Sequence, residues 1–179
     1  MKLDDDQGDR FNAEIKARCS RLDVAREILL TNGALPHGTD RQTDTYFVVP
    51  RGCLKVREGT IENALIAYDR PVNPGVRPAA VVLTPLSPAE AAGVREVLEA
   101  ALPVRARILK TREILFAGNV KFHLDRVDGL GTFLEIEAQS RAGRPAREAL
   151  EAQAEEWRAR LGLDARDLLG PSYSELTGA

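Results

Sequence analysis

The chain has 179 residues, of which 44% are hydrophobic and 29% charged, with a formal net charge of −2. That is enough chain to bury a real core in the proportions of an ordinary globular domain. The near-neutral charge speaks against a nucleic-acid partner, and no apolar run approaches the roughly 18 residues of a membrane-spanning helix.

In chain order, the opening MKLDDDQGDR is acidic and lacks the apolar stretch of a secretory leader. Residues 1–10 are expected to form a disordered tail, and residues 11–179 a single domain. Residues 11–19 alternate, with Ala13, Ile15 and Ala17 on one side and Asn12, Glu14, Lys16 and Arg18 on the other, the pattern of a strand. Residues 22–32 read as a helix with Asp23 as N-cap, an apolar stripe of Val24, Ala25, Ile28 and Leu29, and Gly33 as terminator. A strand rich in Thr, Tyr, Phe and Val covers 40–49, and Pro50-Arg51-Gly52 is a turn. Strands follow at 53–58, with Lys55 and Arg57 on one face, at 63–70, with Tyr68 and Arg70 on one face, and at 78–86. Ser87-Pro88-Ala89-Glu90 is a capping box opening a helix to Ala101, with Ala91, Val94, Leu98 and Ala101 inward. A long strand over 104–117 carries Lys110 and Arg112 on one face and Leu109 and Leu115 on the other. Residues 145–161 form a helix with Leu150, Ala154, Trp157 and Leu161 at helical spacing, and 164–169 a shorter one.

Residues 120–139 read as a hairpin turning at Asp128-Gly129-Leu130-Gly131. Alternation puts Val120, Phe122 and Leu124 on one face and Lys121, His123 and Asp125 on the other. On the second strand, Leu134 and Ile136 oppose Glu135 and Glu137. Three carboxylates on one hairpin face repel one another, so either water solvates them or cations neutralise them. Cys19 and Cys53 form no CxxC pair, so reduced structural thiols and a cytoplasmic location are expected.

Eight strands with mostly short links and three or four helices predict an α+β fold built on a largely antiparallel sheet. Eight strands can also close into a barrel without exposed edges. The charged strand faces carry Glu14, Lys16, Lys55, Arg57, Arg70, Lys110, Arg112, Lys121, His123, Asp125, Glu135 and Glu137. Turned inward, they would line a lumen suited to a polyanion held by Lys and Arg, with hard divalent cations held by carboxylates. Turned outward, they are the solvated faces of an ordinary sheet. Periodicity leaves both open.

Several segments resemble the CYTH superfamily, the triphosphate tunnel metalloenzymes that include class IV adenylate cyclases and thiamine triphosphatases. They are NAEIKAR, QTDTYF, LKVRE, ALIAYDRP, KTREI, HLDRVDGLGTFLEIE and the closing PSYSEL, in the family's order from Asn12 to Leu176. The later spacing resembles the cyclase branch most. The resemblance implies an eight-stranded antiparallel closed β-barrel with charged faces inward and helices outside. It implies that Glu14, Asp125, Glu135 and Glu137 bind Mg²⁺ or Mn²⁺. It also implies that Lys16, Lys55, Arg57, Arg70, Lys110 and Arg112 grip the triphosphate, with Glu14, Lys16, Lys110 and Arg112 as the catalytic set. His123 is either a packing residue of the lumen or a further ligand.

The chain departs from the family's Glu-x-Glu-x-Lys signature at Asn12, which offers a carbonyl oxygen and no charge. A second metal is therefore expected to bind more weakly or to need the substrate's phosphates. The implied activity is conversion of ATP to cyclic AMP and pyrophosphate. The alternatives are hydrolysis of an organic or inorganic triphosphate, and a non-catalytic triphosphate binder. A free sheet face would allow a homodimer.

Overall fold

The computed structural model describes residues 11–69, 75, 77–140 and 146–178. The expected tail at 1–10 and Arg70 lie outside the described residues. The strands are β1 (Phe11–Arg18), β2 (Leu35–Phe47), β3 (Cys53–Gly59), β4 (Ala64–Asp69), β5 (Arg77–Pro85), β6 (Val104–Ala117), β7 (Val120–Val127) and β8 (Gly131–Gln139). The helices are α1 (Leu22–Thr31), α2 (Pro88–Ala101), α3 (Arg147–Arg160) and α4 (Tyr173–Leu176), with one 3-10 turn at Ala165–Asp167. Neighbouring strands are antiparallel, and the sheet curls so that pairing runs β1-β5-β4-β3-β2-β6-β7-β8 and returns from β8 to β1. None of the described helices is long and apolar enough to cross a membrane.

Strands β1, β7 and β8 each have an apolar face that points outward, under the helices, and a mostly polar face that points inward. Ala13, Ile15 and Ala17 of β1, Phe122 and Leu124 of β7, and Leu134 and Ile136 of β8 form one buried cluster with Leu22, Ala25 and Leu29 of α1 and Leu150, Ala154 and Trp157 of α3. Phe122 meets Trp157 edge-on at 4.8 Å between ring centroids, the geometry that aromatic quadrupoles favour. A second cluster packs Ala91, Val94 and Leu98 of α2 on Phe47, Val56 and Leu65. Burying these outer faces leaves the charged faces only the interior, which decides between the two orientations that periodicity left open.

Local signals held where side chains enforce them. Ser87 and Glu90 make a reciprocal capping box at α2, and Gly33 follows α1 with φ 84°, a conformation that costs glycine little. Four expectations need correction. Asp23 does not cap α1; Arg21 holds the N-cap position without a side-chain bond, and Asp23 lies in the first turn, where a carboxylate still suits the helix dipole. β2 begins at Leu35 rather than at 40, because Pro36 and Gly38 sit at a register irregularity against β6 that accommodates them. Ala101 is exposed rather than inward. The short helix expected over 164–169 is only a 3-10 turn, and an additional helix, α4, forms behind a second capping box of Ser172 and Glu175.

Candidate functional site

Because lumen positions recur every second residue, the interior is built in rungs. At one end Tyr46, Ile108, Val127 and Phe133 pack with Tyr173 of α4 into an apolar plug. Beyond it opens a cavity of about 460 Å³.

The basic part of the wall is organised by Asp44, which is fully buried. Its carboxylate accepts from Lys55 Nζ at 2.8 Å, Arg57 Nε at 2.8 Å and Lys110 Nζ at 2.6 Å. Burial alone would raise the Asp44 carboxyl, but Arg57, Lys110 and Lys55 hold it well below the usual carboxylate range. Three cations share one carboxylate, so the cluster keeps more positive charge than Asp44 can neutralise. Burial pulls the Lys110 amine well below its usual value; Asp44 opposes this, while Arg57, Arg112 and Lys55 add to it. Lys55 is lowered in the same sense, chiefly by burial.

The acidic part comes from β1, β7 and β8. Glu14 and Glu137 are cross-strand neighbours, as are Lys16 and Glu135. Lys16 Nζ lies 3.0 Å from Glu135 and 4.0 Å from the Tyr173 ring centroid, a cation–π contact. Burial would raise the Glu135 carboxyl, but Lys16 and Arg112 hold it well below the usual range. His123 Nδ1 is 3.0 Å from Glu135 and 3.6 Å from Glu137. Burial and the Arg112 charge push its pKa down, which keeps the imidazole neutral at pH 7. One ligand atom from each of His123, Glu135 and Glu137 falls within 4.8 Å of the others. Two carboxylates and one imidazole at this spacing are ligand types that can hold a divalent cation.

The structure brings Glu14, Lys16, Lys55, Arg57, Lys110, Arg112, Glu135 and Glu137 to one cavity wall. Asp125, which the resemblance implied as a metal ligand, sits fully buried behind that wall. It accepts from Arg112 Nε at 2.7 Å and from the Tyr173 hydroxyl at 2.7 Å, and Arg112 also reaches Glu135 at 2.8 Å. Asp125 therefore orients the Arg112 guanidinium toward the cavity.

Several residues that line or support the wall escaped the sequence reading. Asp44 and Tyr46 follow the same alternation as Asp40 and Gln42 within DRQTDTYF, a signal present but not used. Glu62 bonds Lys121 and lies 3.2 Å from Arg57, yet it sits in the β3–β4 turn, where no periodicity marks a face. Buried Asp40 anchors that turn by accepting from the backbone amides of Ile61 and Glu62, both at 2.9 Å. The turn also requires Gly59, where a Cβ would come within 2.5 Å of the Glu62 carbonyl oxygen. Tyr173 lies in PSYSEL, whose role became visible only when α4 folded onto the plug.

The CYTH domain family model matches residues 10–173. Among solved structures, the chain is similar to the PH1012 protein of Pyrococcus horikoshii at 24% identity and TM-score 0.80, covering 92% of this chain and 98% of that one. It is similar to a candidate adenylate cyclase of Vibrio parahaemolyticus at 21% identity and TM-score 0.74, over 94% and 98% of the two chains. It is also similar to HpAC1 of Hippeastrum, a candidate adenylyl cyclase described as having a dominant triphosphatase activity, at 13% identity and TM-score 0.63, over 94% and 93%. No curated protein matches the chain.

Proposed function

This chain belongs to the CYTH domain family, and we propose that it is a divalent-metal-dependent enzyme acting on a triphosphate held inside the curled sheet. The supporting observation is the shared cavity wall, with Lys55, Arg57 and Lys110 gathered on one side and Glu14, Glu135 and Glu137 on the other. A polyanion carrying its own divalent cation complements both sides at once.

In this reading Lys55, Arg57 and Lys110 hold the terminal phosphates, where guanidinium forks and ammonium point charges match phosphate oxygens. Lys16 and Arg112 lie between the two sides and neutralise charge that builds on the phosphoryl group under attack. Glu14, Glu135 and Glu137 would hold Mg²⁺ or Mn²⁺, with His123 beside them. A cation bound there supplies charge neutralisation and lowers the pKa of an attacking hydroxyl or water. Asn12 faces Gln139 across the β1–β8 ladder, so that rung carries two neutral amides and adds no carboxylate for a second metal.

The cyclase-like reading comes first, on the spacing of HLDRVDGLGTFLEIE. The ribose 3′-hydroxyl of ATP attacks the α-phosphorus, its proton leaves to solvent, and the α–β bridging bond breaks to give cyclic AMP and pyrophosphate. Hydrolysis at the γ-phosphorus, which yields a diphosphate and phosphate, uses the same grip. Incubation with ATP, the other nucleoside triphosphates and tripolyphosphate, with Mg²⁺ and then Mn²⁺, followed by product analysis, separates the two. If no substrate is turned over, the catalytic reading is wrong and a binding role remains.

Two further results are expected. Glu137→Gln should raise the Mn²⁺ concentration needed for half-maximal turnover by about tenfold or more, with an unchanged unfolding midpoint; an unaltered metal dependence would remove Glu137 from the metal site. Because the Lys110 and Lys55 amines titrate below the ordinary lysine value of about 10.4, a bound polyanion will raise them again. Binding should therefore take up protons, and affinity should fall as pH rises through the depressed lysine values. Titration calorimetry in buffers of different ionisation enthalpy measures that uptake, and zero uptake across the alkaline range contradicts it.

A further inference from the structure

The β3–β4 turn puts a carboxylate of the chain itself into the cavity. Glu62 lines it and accepts from Lys121 Nζ, from Arg57 Nη1 at 3.2 Å and from Gln42 Nε2 at 3.3 Å. Lys121 stands on β7, separated from β3 in the ring by β2 and β6, so Glu62 ties two sides of the sheet together. The two ends of the tie differ. Arg57 has a second carboxylate, the fully buried Asp44, at 2.8 Å. For Lys121, among the described residues, Glu62 is the one ion-pair partner. Burial would raise the Glu62 carboxyl, but Lys121 and Arg57 hold it well below the usual carboxylate range. Glu62 is therefore a standing negative charge among cations that face the cavity. Its backbone is fixed, since Asp40 accepts from the Thr60 hydroxyl at 3.0 Å and from the amides of Ile61 and Glu62. The side chain is 28% exposed, and rotation about its own bonds carries the carboxylate into water without moving the turn.

Resting on the triphosphate reading above, we propose that Glu62 is a built-in competitor for the ligand. It occupies an anion subsite formed by Arg57, Lys121 and Gln42, and it swings out when a phosphate group of the polyanion takes its place. Carboxylate and phosphate oxygens accept from the same guanidinium and ammonium donors, so the two contend for one set of contacts. A phosphate that entered while Glu62 stayed in place would meet a like charge, which is unfavourable. Once Glu62 has left, Arg57 still holds Asp44 and turns its remaining N–H groups to the ligand, and Lys121 becomes a phosphate contact on the β7 side. In the free protein the tie keeps Lys121 compensated. The same carboxylate thus lowers the affinity of the cavity for every polyanion.

The test is calorimetric titration of the full chain with inorganic tripolyphosphate, in buffer free of divalent cations and again with Mn²⁺, for the wild type, Glu62→Gln and Lys121→Met. Leaving out the divalent cation removes any part that Glu62 could play as a metal ligand. Glu62→Gln keeps the length of the side chain and leaves Arg57 on Asp44, so the fold is expected to hold. Lys121→Met probes the same subsite from the opposite strand. In metal-free buffer Glu62→Gln should bind tripolyphosphate about tenfold or more tightly than the wild type, and Lys121→Met should bind it less tightly. A tie with a purely structural role would give the first variant no gain. No gain for Glu62→Gln in metal-free buffer, or wild-type affinity in Lys121→Met, overturns the competitor and leaves the triphosphate reading standing wherever the wild type binds. Failure of all three proteins to bind tripolyphosphate, with or without Mn²⁺, overturns both.

Discussion

Asp44→Ala is expected to lower folding stability by about 3–5 kcal/mol, the cost of stranding buried charge when its partner is removed. Lys55, Arg57 and Lys110 all converge on this carboxylate at 2.6–2.8 Å, and no water can reach Asp44, whose exposure is 0%. For a chain of this length the loss corresponds to roughly 10 °C in Tm. The pH dependence has a definite sign. The folded-state pKa of Asp44 is depressed, so its contribution is fully present above the unfolded value of about 3.9. It is lost only as pH falls through the lower folded value. Urea unfolding at pH 7 should therefore show the full difference between wild type and variant, and the difference should close in strong acid. Tripolyphosphate should also stabilise the variant more than the wild type, because it replaces the missing anion. Stability within about 0.5 kcal/mol of wild type, the range of an ordinary surface substitution, would show that the three cations do not depend on Asp44.

Lys110→Met should do the reverse, sparing stability and removing catalysis. Lys110 is surrounded by three other cations, and Asp44 keeps Lys55 and Arg57 when Lys110 is gone. Removing one preorganised charge from a site that stabilises developing phosphoryl charge costs about 10²–10³ in kcat. The expected result is a loss of that size in kcat/KM with an unfolding midpoint at or above the wild-type value. Lys110→Arg should rescue little, because a planar fork cannot replace a compact ammonium in contact with Asp44 at 2.6 Å. A loss smaller than tenfold in Lys110→Met would mean that this amine does not touch the reacting phosphates.

Much of this arrangement was legible in the chain because strand alternation is strict. The split of residues 120–139 into Phe122, Leu124, Leu134 and Ile136 against Lys121, His123, Glu135 and Glu137 reappears as outer core against cavity wall. Alternation cannot say which face is inside; that was decided by α1, α2 and α3 covering the apolar side. It was also silent about residues held by turns. Glu62 reaches Arg57 and Lys121 only because Asp40 fixes the β3–β4 turn from 20 or more residues away. Asp125 and Glu135 looked equivalent in sequence, both acidic and on the same hairpin face. Depth separates them: Asp125 lies behind the wall on Arg112 and Tyr173, while Glu135 lines the cavity.

The most direct measurement of the central claim is equilibrium unfolding of the full chain with and without a triphosphate and Mn²⁺. At a ligand concentration of 100 Kd the folded state should gain about 2.7 kcal/mol. ATP with Mn²⁺ should produce that gain in the wild type and much less at the same concentration in Lys110→Met and Arg57→Ala. An unfolding curve that no triphosphate displaces, with either Mg²⁺ or Mn²⁺, would contradict the assignment of the cavity as a triphosphate site.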